Sequence, residues 1–197
     1  IWVAEMDGEL RVFVNQWDLP QYQVSQTYRQ MLRGGVEAET ADYLRQKLQQ
    51  AQWVLTCVQR RQKTLEACVQ ALVQAQAAYF WGCQAAPGPL LRREVAAQLR
   101  VHPSTVTRAL GHKYLQCRQG LFPMGYFFAR PMGAEGASPQ RAKAALARMI
   151  QGEDPRRPLS DQALGERLQA AGMPLARRTV AKYRREMGLP PAYRRRR

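Results

Sequence analysis

Between Val36 and Trp81 the chain runs without a glycine or proline; Gly34-Gly35 precede the stretch and Gly82 follows it. Apolar residues return at Leu44, Leu48, Ala51, Leu55, Val58, Leu65, Val69, Leu72 and Tyr79, in steps of three and four, with Gln62 and Gln76 as polar interruptions. That period predicts an amphipathic helix, continuous or broken once, within residues 36–84. At 1.5 Å per residue such a helix reaches roughly 60 Å. A helical hairpin folded on itself and a single rod that spaces two functional regions both satisfy the pattern.

The flanks follow other periods. Residues 2–14 alternate around Asp7-Gly8, with Leu10, Val12 and Val14 on one face, which predicts a two-residue β-hairpin. Pro20 closes this piece, which is too small to fold alone and reads as the trailing edge of an upstream domain, residues 1–35. Ala85-Ala86-Pro87-Gly88-Pro89 predicts a linker, and a compact helical segment follows to about Leu115. Residues 129–138 are rich in Gly, Pro and Ala and predict a second linker, 131–138 at its narrowest; Pro131, Gly133 and Gly136 suggest that it imposes no fixed geometry. Ser138-Pro139 then reads as an N-cap with proline at the first helical position, opening a helix over 139–151 with Ala142, Ala145, Leu146, Met149 and Ile150 on one face. Ser160 caps another helix with Ala163, Leu164 and Leu168 inward, ended by Gly172-Met173-Pro174. A last helix spans about Leu175 to Met187, stopped by Gly188 and Pro190. The fold class is mainly α: a long helix followed by two helix-turn-helix units, with a short β-hairpin at the N-terminal end.

The first helix-turn-helix candidate is Arg92 to Leu110, within a unit of residues 88–130. Ala96 is small enough for two helices to cross closely; Leu99, Val101, Val106 and Leu110 supply the shared core; Ser104, Thr105, Thr107 and Arg108 face a groove. Arg100 stands where many such turns carry glycine, so the turn needs a non-glycine residue at positive φ or another geometry. The second candidate runs from Leu159 to Met187 within residues 139–197. Val180, Ala181 and Met187 can face its core, leaving Arg177, Arg178, Thr179, Lys182 and Arg185 toward solvent. Arginine grips guanine O6 and N7 with two hydrogen bonds, and the N-terminal end of a recognition helix is the part that reaches base edges.

Charge sharpens this reading. Residues 1–87 balance eight basic against eight acidic residues, and 131–175 are nearly balanced at +1. Residues 88–130 carry +6 with only Glu94 acidic, and 176–197 carry +8 with only Glu186, so almost all of the +15 excess sits in the two helix-turn-helix segments. Two basic islands in a balanced chain mark two places that meet phosphate. Arg194 to Arg197 read as a bare basic tail for any polyanion. Cys57, Cys68, Cys83 and Cys117 form no CxxC pair and have no histidine at ligand spacing, so no metal is expected, and such scattered thiols suit a reducing cytoplasm. His102 and His112 have no Ser, Cys or acid arranged around them and read as helix-end or phosphate-facing residues; no catalytic site and no cofactor are expected. No run of about 18 apolar residues suggests a membrane span, and Ile1-Trp2-Val3-Ala4-Glu5 does not open a signal peptide.

Ala176-Arg177-Arg178-Thr179-Val180-Ala181-Lys182-Tyr183-Arg184 resembles the signature box near the C-terminus of bacterial sigma-54 factors. The upstream pieces agree in order: a Trp-containing long helix, Val101 to Arg108, Lys113-Tyr114-Leu115, Gly120-Leu121-Phe122, Tyr126-Phe127-Phe128 and Pro158-Leu159-Ser160-Asp161. The resemblance implies a sigma subunit that directs core RNA polymerase to double-stranded promoter DNA with elements near minus-24 and minus-12. It implies that the box helix, including Tyr183, Arg184 and Arg185, reads the upstream element. The first helix-turn-helix, with Lys113 beside it, then sits near the downstream one. It further implies that residues 1–35 trail from a core-polymerase-binding domain. Melting would need an ATP-hydrolysing activator acting through regions that this chain lacks, and the site of action would be the bacterial cytoplasm, at the nucleoid. Gln119, Pro123 and Gly125 stand where the family more often has charged residues, and Arg185 where the box often ends in Glu. A DNA-binding fragment of a transposase or recombinase is the alternative, though the scattered acids offer no catalytic cluster. A scaffold whose long helix binds a partner is another, separable by comparing specific with random duplex.

Overall fold

The computed structural model describes residues 1–15, 22–35, 37–132 and 137–195. Pro20, Val36, Gly133, Gly136, Arg196 and Arg197, on which parts of the sequence reading rest, lie outside the described residues. The chain is mainly helical with one small sheet.

Strands β1 (Trp2–Met6) and β2 (Glu9–Phe13) form the expected hairpin, with Val3 opposite Val12 and Glu5 opposite Leu10. Asp7 and Gly8 both take positive φ, 54° and 75°, the conformation that matches the right-handed twist of the strands. Helix α1 (Gln26–Arg33) leads into α2 (Ala38–Ala75), a single uninterrupted rod of 38 residues, roughly 57 Å long. The hairpin alternative is therefore excluded. Gln62 passes through the helix without effect, while Gln76 ends it with φ −110° and ψ 21°, and α3 (Ala77–Phe80) follows as a separate turn.

Apart from Ala41 near its start, the buried residues of the rod lie in its last third. Leu65, Cys68, Val69, Leu72 and Val73 are buried, whereas Trp53, Val54 and Val58 are exposed. The buried end packs against α4 (Arg92–Gln98) and α5 (Pro103–Leu110), the first helix-turn-helix. Val95, Ala96, Val106 and Leu110 join Leu72, Tyr79, Leu115, Met124 and Phe127 in one core. Each large apolar side chain there contributes about 1.5–3 kcal/mol by burial. Tyr79, Phe80, Phe122, Tyr126 and Phe127 interlock, with Phe80 stacked on Phe127 at 5.5 Å and Phe122 on Tyr126 at 4.6 Å.

Two strands that the sequence reading did not anticipate, β3 (Tyr114–Cys117) and β4 (Gly120–Pro123), form a wing behind α5. β3 also takes β1 alongside it in parallel: Gln116 N donates to Ile1 O at 2.9 Å, giving the sheet order β2-β1-β3-β4. Val3 enters the same core as Phe127. Residues 1–15 and 88–130 thus share one sheet and one core, so the expected division between them does not describe how the chain packs.

The C-terminal unit has its own core. Helices α6 (Pro139–Gln151), α7 (Asp161–Ala170) and α8 (Arg177–Glu186) bury Leu146, Ile150, Leu164, Leu168 and Val180 together. The expected caps are present: Ser138 Oγ accepts from Arg141 N and Ser160 Oγ from Ala163 N, both at 3.1 Å. A Cβ on Gly165 would lie 3.4 Å from Leu175 O in the connection and 3.7 Å from Val180 Cγ2 of α8, so α7 and α8 pack closely at this glycine.

The two units are not freely tethered. Pro87 and Ala86 of the first linker are buried, and Pro87 O accepts from Ser138 Oγ at 2.5 Å. Gln140 Nε2 donates to Tyr126 O at 2.8 Å, and Met132 and Ala137 form a two-way backbone bridge across the second linker. The expectation that residues 129–138 impose no fixed geometry is corrected by these contacts, which hold the start of α6 against the first unit.

Gln76 is buried and satisfied from both sides: its Oε1 accepts from Gly88 N at 2.9 Å, and its Nε2 donates to Gly88 O at 3.0 Å. Gln76→Leu keeps the volume and strands both polar groups of Gly88. It should lower stability by about 1–3 kcal/mol, read as a lower urea midpoint.

Candidate nucleic-acid interface

In the first unit the turn between α4 and α5 uses the harder of the two options. Arg100 has φ 53°, Val101 N donates to Ala96 O at 2.9 Å and Arg100 N to Ala97 O at 3.2 Å. This is a glycine-type helix stop carried by an arginine, at a cost of roughly 1–2 kcal/mol for the left-handed conformation. It sets α5 across α4 with Ala96 at the crossing. His102 is the N-cap: its Nδ1 accepts from Ser104 N at 3.2 Å, and Pro103 occupies the first helical position.

The outer face of α5 carries Ser104, Thr107 and Arg108, all exposed, with Thr105 half-buried. Arg108 and Thr105 line a groove of about 460 Å³ shared with Arg61 and Thr64 of α2. Lys113 is half-buried after the helix, with Nζ 3.4 Å from Gly111 O.

In the second unit α8 divides its arginines by burial. Arg177, Arg178, Lys182 and Arg185 are exposed and Thr179 is half-buried. Arg177 and Arg178 open the helix, the position from which side chains reach base edges. Lys182 lies 3.9 Å from Glu186, whose other oxygen is 2.6 Å from Lys143 on α6. Those two lysines, Lys143 first, hold the Glu186 carboxyl below the usual range. Tyr183 is half-buried, with the Lys143 ammonium over its ring at 5.0 Å.

Arg184 corrects the sequence reading. Its side chain is 7% exposed. Nε donates to Asp161 Oδ1 at 2.8 Å, Nη2 to Asp161 Oδ2 at 3.0 Å, and Nη1 to Leu189 O at 2.9 Å. The guanidinium is spent inside the domain: it bolts the end of α8 to the first turn of α7 and to the chain that leaves α8. Arg184 therefore holds α8 in place from inside the domain. Its hydrogen bonds keep the Asp161 carboxyl below the ordinary carboxylate range.

The tail needs the same correction. Within α9 (Ala192–Arg195), Arg195 is nearly buried, with Nε donating to Glu153 Oε1 at 2.6 Å and Nη2 to Leu159 O at 2.9 Å. Glu153 in turn accepts from Leu159 N at 2.9 Å. Arg195 closes the domain; it is not part of a solvated basic tail. Neither acid partner is marked in the sequence, because each lies more than 20 residues from its arginine.

Comparison with known proteins agrees with this arrangement. The family model described as "Sigma-54, DNA binding domain" matches residues 41–197. The chain belongs to the sigma-54 family. It is 35% identical over 199 residues to the RNA polymerase sigma-54 factor of Xanthomonas euvesicatoria, covering 99% of this chain and 40% of that protein. It is 31% identical to that of Escherichia coli, covering 98% of this chain and 41% of the relative. The Bacillus subtilis factor is 35% identical over 201 residues, at 100% and 46% coverage. The chain thus spans less than half the length of these relatives. A crystal structure of Aquifex aeolicus sigmaN bound to promoter DNA matches with a TM-score of 0.65 and 26% identity, over 99% of this chain and 59% of that one.

The sigma-54 box in this chain is thus split between exposed and buried basic side chains. Among the described residues, no three His, Cys, Asp or Glu side chains gather as metal ligands, and no helix is long and apolar enough to cross a membrane.

Arg184 and Arg178 should behave oppositely when replaced. Arg184→Ala leaves the half-buried Asp161 without its partner and should cost about 1–3 kcal/mol of C-terminal-unit stability. The Asp161–Arg184 contribution is present above the ordinary carboxylate pKa and is lost as pH falls through Asp161's lowered value, so Arg184→Ala should also flatten the acid side of the stability profile. Arg178→Ala should leave stability within about 0.5 kcal/mol and weaken specific duplex binding by about 1–3 kcal/mol. Thermal melts across pH, with binding measured on folded protein, check both.

Proposed function

We propose that this chain recognises promoter DNA in transcription initiation by a sigma-54-type factor. In this reading α8 reads the upstream element near minus-24 through Arg177, Arg178, Thr179, Lys182 and Arg185. The first helix-turn-helix sits at the downstream element near minus-12 through Ser104, Thr105, Thr107, Arg108 and Lys113. The observation that carries the proposal is the pair of helices, each joined to a partner helix by a short connection and each carrying an exposed arginine that, among the described residues, forms no ion pair. The family membership gives the element assignment its basis.

On this reading residues 1–35 trail from a part that binds core RNA polymerase, and the ATP-hydrolysing activator would act through parts of the factor that lie outside this chain. The place of action on this reading is bacterial cytoplasmic DNA. The transposase or recombinase alternative gains no observation of its own.

The contacts at Ser138 and Gln140 bear on how the two elements are read together. With α6 held against the first unit, the separation of α5 and α8 is set before DNA arrives. Inserting five base pairs between the elements turns one of them by about half a helical turn. Affinity should then drop to that of the upstream element alone, and a footprint over the downstream element should vanish. Unchanged affinity and protection on both elements would contradict the proposal.

A further inference from the structure

The basic residues of the first unit are not all on its recognition helix. Arg92 and Arg93 lie in the first turn of α4, and Arg130 lies 37 residues beyond Arg93. A two-way backbone bridge brings these segments side by side: Leu90 N donates to Ala129 O and Ala129 N to Leu90 O, both at 3.1 Å. Arg92, Arg93 and Arg130, with Leu91 and Pro131, line an open groove of about 590 Å³. All three arginines are exposed, and among the described residues no carboxylate pairs with any of them. Glu94, the acid nearest in sequence to Arg92 and Arg93, is turned to the backbone, its Oε2 accepting from Leu91 N at 2.9 Å; Glu135, five residues after Arg130, lies outside the described residues. Arg92 is held in place, its guanidinium over the Phe128 ring at 5.0 Å.

We propose that Arg92, Arg93 and Arg130 form a clamp for backbone phosphates of duplex DNA, beside the base-reading face of α5. The inference rests on the DNA-reading function above and adds a site to it. A solvated charged face usually alternates its signs; among the described residues this groove is lined by three cations and no acid. Three like charges set side by side by a backbone bridge repel one another, and a polyanion relieves that repulsion. In helix-turn-helix proteins the first helix crosses the sugar-phosphate backbone while the second enters the groove, and α4 is that first helix here. Arginine's planar fork suits two phosphate oxygens at once. Pro131 follows directly, so the clamp stands where the chain leaves the first unit for the second and would bind the backbone between the two reading helices.

The test is salt-dependent binding of the whole chain to a two-element promoter duplex and to a random duplex of equal length. The unaltered chain should show a slope of log K against log salt of about −5 to −9, the value for 6–10 phosphate contacts. The triple substitution Arg92→Gln, Arg93→Gln, Arg130→Gln should make the slope shallower by about 2–3, with the same proportional loss on both duplexes. Replacing all three by Lys keeps the charges and should keep the slope, which separates lost charge from lost folding; Arg130→Gln alone, on an exposed side chain, should remove about 0.9. An unchanged slope in the Gln variants would overturn the clamp and leave the groove for an acidic protein surface instead. A loss confined to the promoter duplex would overturn it too, since that is base reading. If the unaltered chain bound neither duplex, the DNA-reading function itself would fall.

Discussion

The short segment Pro87-Gly88 is where the whole arrangement is joined. Gln76, at the end of the rod, holds Gly88 by both backbone polar groups, and one residue earlier Pro87 O receives the hydroxyl of Ser138. Ser138 is also the N-cap of α6, so one buried side chain both starts the C-terminal unit and fastens it. A buried backbone carbonyl or amide without a partner costs about 1–3 kcal/mol, so each of these groups constrains the others. The rod, the first helix-turn-helix and the second unit are thereby referred to one point. What sequence composition marks as two flexible connectors is, at 86–87 and at 137–138, packed interior.

The second organising feature is how positive charge is divided. A basic recognition helix needs an inner face without unpaired cations and an outer face without partners. Arg184 and Arg195 meet the first need through bidentate bonds to Asp161 and Glu153. Arg177, Arg178 and Arg185 meet the second by remaining exposed. Net charge counts all of these alike, yet only the second set is available to phosphate or base. The same distinction applies in the first unit, where Arg100 serves a turn and Arg108 faces outward.

Much of this was legible along the chain wherever the determinant was local. Ser138-Pro139, Ser160 and Asp7-Gly8 acted as the punctuation they resemble, the stop before α5 took the positive φ that a missing glycine demands, and α6 spans the residues its apolar period marks. The rest depended on partners far away in sequence. The wing β3–β4 is short, and its pairing with β1 joins residues more than 100 positions apart. Gln76 read as a blemish in an apolar stripe because its partners, Gly88 and Phe127, lie across a loop and a domain. Arg184 sits within a motif whose other basic residues are exposed, yet it follows buried Val180 by four residues and precedes Met187 by three, so the helical period puts it on the inner face, and only the family resemblance gave it to DNA. The exposed stripe of α2 at Val54 and Val58 followed the helical period yet is uncovered in this chain, since period reports a face and not what covers it.

The central claim is that the two reading helices stand at a set separation before DNA is met. Spin labels on Gln98 at the end of α4 and Gln169 in α7, in a chain whose exposed Cys57 and Cys83 have been replaced, would report that separation by pulsed electron resonance. The account predicts a narrow distance distribution in the free chain that promoter duplex leaves in place. It also predicts a broadened one in Ser138→Asp, which keeps an N-cap acceptor but loses the hydroxyl donated to Pro87 O. A broad distribution in the unaltered free chain, narrowing only when duplex is added, would contradict it.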